Sequence, residues 1–204
     1  MKHKKGGNYM KGKKLAQLIG VLCMAVAVIL GVFLLLNQKE SDGIFSKKET
    51  KNTEAQAILS KDLERNYPAT VREVIRLYSR ISSCYHNEEM SEEEFEGLIA
   101  FQRKLFDEEF LEHNPLDTFT NNLSNEVAAA KQTEYKMISW RVQKQSSVKE
   151  WTSGENHFAS IIACYTMDGE NYTRTYEEFL LREDEQGYWK IVGWRLTDPI
   201  EIED

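Results

Sequence analysis

The sequence predicts an α+β fold, in which an N-terminal transmembrane helix precedes helices packed on a curved antiparallel sheet. Three observations carry this reading. After Gln17, the stretch Leu15–Leu36 (LAQLIGVLCMAVAVILGVFLLL) runs nineteen residues without a charged or strongly polar side chain. Between Thr53 and Ala130, three capping boxes each introduce an apolar stripe of helical period. From Tyr135 onward, apolar residues alternate at period two between Gly-containing turns.

The chain opens on a basic stub, residues 1–14, with six lysines and no acid. At about 1.5 Å per residue, Leu15–Leu36 is long enough to cross a hydrocarbon core of roughly 30 Å. Lysines beside a span are retained on the cytoplasmic side. The expected placement is therefore the cell membrane, single-pass, with the N-terminus cytoplasmic and the C-terminal domain extracellular. The apolar run exceeds a signal-peptide core, and Leu34-Leu35-Leu36-Asn37 offers no small-x-small cleavage site. An uncleaved signal anchor is thus preferred to a cleaved signal. A lipoprotein reading of Cys23 is weaker still, because bulky Leu22 precedes it.

Residues 37–52 (NQKESDGIFSKKETKN) read as a flexible linker, and residues 53–204 as one extracytoplasmic α+β domain. The whole chain has a net charge of −7, but the part after Leu36 holds 20 basic and 33 acidic residues, a net of −13. Such a domain is a poor partner for nucleic acid, whose binding rests on phosphate neutralisation, and an anionic membrane surface would repel it. Cys84 and Cys164 allow one disulfide in an oxidising compartment. The favoured reading is two small buried hydrophobes.

Four helix starts follow. Thr53-Glu54-Ala55-Gln56 opens a helix with Ala55, Ile58, Leu59 and Leu63 on one face, ending at Tyr67-Pro68. Thr70-Val71-Arg72-Glu73 leads into Val71, Val74, Ile75, Tyr78, Ile81 and Tyr85. Ser91-Glu92-Glu93-Glu94 leads into Phe95, Leu98, Ile99, Leu105 and Phe106. Asn114-Pro115 reads as an N-cap with proline at the first helical position, beginning Leu116, Phe119, Leu123 and Val127.

Strands come next. Tyr135–Val148 alternates, with Ile138, Trp140 and Val142 on one side. Glu150–Thr152 is a short strand before the Ser153-Gly154-Glu155 turn. Phe158–Met167 is apolar on both faces and reads as central. Asp168-Gly169 signals a hairpin, Tyr172–Arg182 returns, and Tyr188–Leu196 closes after Gln186-Gly187.

Helices followed by long hairpin strands ending in GYWKIVGWRL resemble the cone-shaped fold of nuclear transport factor, ketosteroid isomerase and SnoaL-type proteins. More narrowly, YPATVREVIRLYSRISSCYHN and LIAFQRKLFDEEFLEHNP are similar to an uncharacterised family of single-span proteins from Gram-positive bacteria, over about residues 60–130. That family brings no activity with it. One departure stands: the cone order places a strand between the second and third helices, and His113-Asn114-Pro115 leaves no room for one.

His86, His113 and His157 fit no zinc-binding spacing, and no phosphate loop or nucleophile elbow is present. Glu88-Glu89 and Glu92-Glu93-Glu94 lack the pattern of a calcium loop and read as acids gathered at a helix N-terminus. Arg103 and Asp107 are spaced to pair along a helix, and Asp107-Glu108-Glu109 reads as a solvated face. No cofactor or metal and no catalytic residue is expected. The candidate pocket residues are Tyr78, Trp140, Tyr165, Tyr176 and Trp194, which with Trp189 are more simply the core of a twisted sheet.

The expected function is a non-enzymatic, membrane-anchored module that binds a protein, a peptide or a small apolar ligand. One alternative is a scaffold subunit of an envelope complex, since the VirB-type scaffold shares this layout. A weaker one is an isomerase- or hydrolase-like enzyme, which needs a carboxylate base beside a tyrosine in an apolar cone.

Overall fold

A computed structural model describes residues 53–169 and 171–202. Five helices precede five strands: α1 Glu54–Leu59, α2 Val71–Asn87, α3 Glu92–Arg103, α4 Glu108–His113, α5 Leu116–Gln132, β1 Lys136–Val142, β2 Lys149–Ser153, β3 Asn156–Asp168, β4 Thr173–Glu183 and β5 Trp189–Leu196. The α+β class with helices on an antiparallel sheet stands. The transmembrane helix, and with it the single-pass membrane placement with an extracellular domain, is corrected. Among the described residues no helix is long and apolar enough to cross a membrane. The longest, α2 and α5, have 17 residues each, about 26 Å of rise, and both carry charged side chains. Residues 15–36, with the stub 1–14 and the linker 37–52, lie outside the described residues.

The helices start where their caps dictate. Thr53 and Ser91 form complete capping boxes with Gln56 and Glu94. Thr70 accepts from the Glu73 amide, while the Glu73 carboxylate turns to the Ala69 amide. Glu88 adds a cap from a distance: its carboxylate accepts from the amides of Glu54 and Ala55 and so seats the start of α1 against the end of α2. Within the acid run at 88–94, Glu88 and Glu94 therefore work as helix caps, while Glu89 pairs with Lys131. Helix α1 is shorter than its apolar spacing predicts, because the Asp62 side chain accepts from the amides of Glu64 and Arg65 and turns the chain out of helix.

The segment Leu105–Asp107 departs from the predicted third helix. The Asp107 amide donates to the Ile191 carbonyl and the Ile191 amide to the Leu105 carbonyl, so this stretch lies parallel to β5 as a one-residue bridge. Asp107 then caps α4, a helix that apolar spacing alone did not reveal. Asn114 closes α4 instead of capping α5, its side-chain amide donating to the Phe110 carbonyl.

All strands belong to one antiparallel sheet. Its path is β1-β3-β4-β5, and β2 pairs with the first half of β3, beyond the end of β1. Strand β3 is central as predicted, with pairs on both edges. A bulge between Met137 and Ser139 reverses the phase of β1. Met137, Trp140 and Val142 consequently face the core, while Ile138 points away and is 50% exposed. A second irregularity between Leu180 and Leu181 sets Gly193 opposite Leu180 and Ile191 opposite Leu181. Gly154 takes φ 65°, which the first central position of its two-residue turn requires. At Gly169 a Cβ would lie 2.6 Å from the Tyr135 ring, so only glycine fits.

The core lies between the helices and one sheet face. It includes Ile75, Ile81, Tyr85, Leu98, Leu105, Ile161, Phe179, Leu181 and Ile191, all essentially inaccessible. Cys84 and Cys164 are both buried free thiols. Burial pushes the Cys84 thiol up to about 12, aided by Glu88 and Glu54, so it stays protonated.

Candidate functional site

The alternation of β4 sets the site. Thr175, Glu177, Phe179 and Leu181 share one sheet face, and the last two are fully buried in the core. Glu177 is thereby a carboxylate on the helix-covered face. Its cross-strand neighbours are Ala163 on β3 and Leu196 on β5. Ala163 is small, and Leu196 is 62% exposed, so the carboxylate lies where the covered face meets solvent. Glu177 itself is mostly buried and keeps a partial opening.

Two tyrosines approach it. Tyr165 sits diagonally across the β3–β4 ladder, opposite Thr175, and its hydroxyl bonds to the Ser79 hydroxyl at 2.9 Å. Tyr78, one residue earlier on α2, packs edge-on against Phe179 with ring centroids 5.3 Å apart and lies 5.6 Å from Trp194. Burial drives both phenols well above their ordinary range, and the Glu177 charge adds to the effect on each. Burial also lifts the Glu177 carboxyl, to about 7, with the charge of Glu126 as a second cause. No Lys, Arg or His among the described residues pairs with Glu177.

The rim comes from α2 and α5. Tyr78, Ser82 and His86 follow one another at four-residue spacing along α2. His86 Nε2 faces Glu126 of α5 at 3.8 Å, whereas its Nδ1 is buried without a hydrogen-bond partner. Burial holds this imidazole below its usual value, so it is neutral near pH 7.

The candidate pocket residues do not all meet. Tyr78, Tyr165 and Trp194 share the helix-covered face. There Trp194 stacks on Phe110 at 5.6 Å and on Phe106 at 6.3 Å, so these rings fill the interior. Trp140 opposes Tyr165 across the ladder and carries the Arg76 guanidinium 5.9 Å from its ring centre. Tyr176 opposes Cys164 on the other face and is no part of the site. Trp189 is buried beneath His157, whose Nδ1 lies 2.7 Å from Glu183.

Sequence reasoning passed over Glu177 and Glu126, and weighed His86 only as a zinc ligand. The signal for Glu177 was in its position two residues before Phe179 and four before Leu181, an acid in phase with core residues. Asp107 was misread as solvated. It is 5% exposed and binds Arg182 of β4 through both carboxylate oxygens, while Arg103 turns instead to the Asn114 carbonyl and the Phe119 ring. Among the described residues no three His, Cys, Asp or Glu side chains converge on a metal position.

Fold and site together define an α+β domain whose sheet holds the acid Glu177 against its covering helices. The chain belongs to the family described as a domain of unknown function, DUF6715, which matches residues 1–194. No curated protein matches it.

Proposed function

We propose that the domain is a non-enzymatic binding module that takes a small ligand at the mouth beside Glu177, Tyr78 and Tyr165. The observation that carries this reading is the mostly buried Glu177 carboxylate, which has no cationic partner among the described residues. Burying a charge without compensation is costly, and such groups are retained where a ligand supplies what the fold withholds. The polar groups converge from α2, α5, β3 and β4, and rigid elements hold them in place.

Amide and side-chain NMR of the full chain, titrated with a panel of small polar and aromatic molecules, tests the reading. A binder should perturb Tyr78, Tyr165 and Glu177 together, and Glu177→Gln should weaken it about tenfold or more, the equivalent of one charge-assisted hydrogen bond. Binders that perturb only the surface distant from these residues would refute the site.

A second reading, proton transfer by an isomerase-like enzyme, is favoured by one observation: the Glu177 carboxyl titrates at about 7 beside two tyrosine hydroxyls. Binding remains the better reading, because the rings of Tyr78, Phe106, Phe110 and Trp194 occupy the interior that a buried substrate would need.

A further inference from the structure

We infer that residues 44–48 of this same chain (IFSKK) dock in a groove between the start of α3 and α5. The Phe45 ring enters between apolar walls, and Lys47 and Lys48 lie against acids at the edge. The groove shares no residue with the mouth beside Glu177, so the inference does not depend on the binding-module reading. Its cavity volume is about 270 Å³. Met90 and Phe95 form one wall, and Val127 and Ala128 of α5 form the other. That is room for an aromatic ring, since a dry cavity of about 150 Å³ takes up benzene. The flexible thioether of Met90 suits a wall that adapts to such a guest. Glu92 and Lys131 also line the groove, and Lys131 Nζ already pairs with Glu89 at 3.1 Å. With Glu89, Glu92 and Glu93 all exposed, the edge carries an excess of negative charge.

Three observations select this occupant. The first is where the described chain begins. Thr53 is its first residue, and Glu88, two residues before Met90, accepts from the amides of Glu54 and Ala55 at 3.0 and 3.1 Å. Gln56 of α1 also donates to Glu94 of α3 at 2.8 Å. The preceding residues therefore join the domain at the N-terminal end of α3, beside the groove. The second is reach. Phe45 precedes Thr53 by eight residues, a span of up to about 28 Å. The third is chemistry. Within residues 37–52 only Ile44 and Phe45 are large and apolar, and Lys47 and Lys48 follow them with the sign opposite to that of the groove's edge. A short tether presents its own segment at an effective concentration of about millimolar. A single-ring contact too weak to retain a separate peptide therefore still forms within the chain.

Disulfide trapping in the full chain tests the docking, with Cys23→Ser throughout and the native thiols Cys84 and Cys164 buried. Ser46→Cys is combined either with Ala128→Cys in the groove or with Ser60→Cys at the end of α1. Both partner positions are exposed, and Ser60 lies roughly 10 Å along α1 from Thr53, within the same reach. Under mild oxidation followed by mass spectrometry, the Ala128→Cys pair should close within one chain about tenfold or more faster than the Ser60→Cys pair. Adding Phe45→Ser should abolish that advantage, and an advantage that persists would refute the part given to the ring. Equal rates for the two pairs would overturn the docking. Disulfides joining two chains, forming faster as protein concentration rises, would assign the groove to a second copy and overturn it as well. A measurement without new thiols stands beside these: Phe45→Ser in the otherwise unaltered full chain should shift the side-chain NMR signals of Met90, Val127 and Ala128. Signals that stay in place would contradict the proposal.

Discussion

Single side chains decide how this domain responds to pH. The Glu177 carboxyl is raised from an ordinary value of 4.5 to about 7, so between those values the folded state holds a proton that the unfolded state has released. Stability attributable to this group therefore falls as pH rises through that window and stays low above it. Glu177→Gln should flatten the dependence and raise stability at pH 8 by about 1–3 kcal/mol, the discounted equivalent of the shift. Urea denaturation of both proteins at pH 5 and pH 8 measures this, and an equal stability difference at the two pH values would contradict it. Asp107, by contrast, is held in an ion pair. It joins Arg182 to the N-terminus of α4 and is nearly inaccessible. Asp107→Ala strands a partly buried guanidinium and removes a helix cap, a loss of about 3 kcal/mol or more in denaturant titration. Asp107→Asn, which keeps a capping oxygen, should lose less.

Among the elements, the helices were the more legible in sequence. Thr53, Thr70 and Ser91 are read as capping boxes from their spacing to Gln56, Glu73 and Glu94; Thr53 and Ser91 form theirs, while Thr70 caps α2 without closing one, since Glu73 turns to the Ala69 amide. Ser91→Ala should cost about 1 kcal/mol of stability by the same denaturant assay. Where the sequence reading failed, a partner distant in the chain had overridden a local pattern. Leu105 and Phe106 carry helical spacing, yet the backbone groups of Ile191, far along the chain, draw them into strand-like pairing. Ile138 carries strand alternation, but a bulge whose cause is the ladder with β3 turns it outward. The site was legible in part for the same reason. Tyr78, Tyr165 and Trp194 could be singled out as aromatic, but their meeting with Glu177 depends on strand register and on which stripe of α2 faces the sheet. Neither is a property of a local window. Tyr176 shows the converse: it has the right residue type and the wrong phase.

On the scale of the whole molecule, the sheet is organised about β3, which pairs with β1 and β2 on one edge and β4 on the other. Backbone amides on β3 should accordingly exchange with solvent more slowly than those of α4 or β2, which are exposed or short. Native-state hydrogen exchange by mass spectrometry checks this ordering, and faster exchange in β3 than in β2 would contradict it.

The outer edge of β1 has a further consequence. At Met137 the outward backbone carbonyl accepts from the Asn87 side chain at 2.7 Å, and the outward amide donates to it at 3.1 Å. One amide group at the end of α2 thus satisfies, in place of a sixth strand, the pair of hydrogen bonds that would otherwise invite one. It acts as a stopper against self-association, since an uncovered strand edge is a template for aggregation. Asn87→Ala should leave the folded monomer intact at low concentration but raise its tendency to form oligomers and fibrils at high concentration. Light scattering against protein concentration would reveal this, and identical curves for the two proteins would show that the edge is protected by other means.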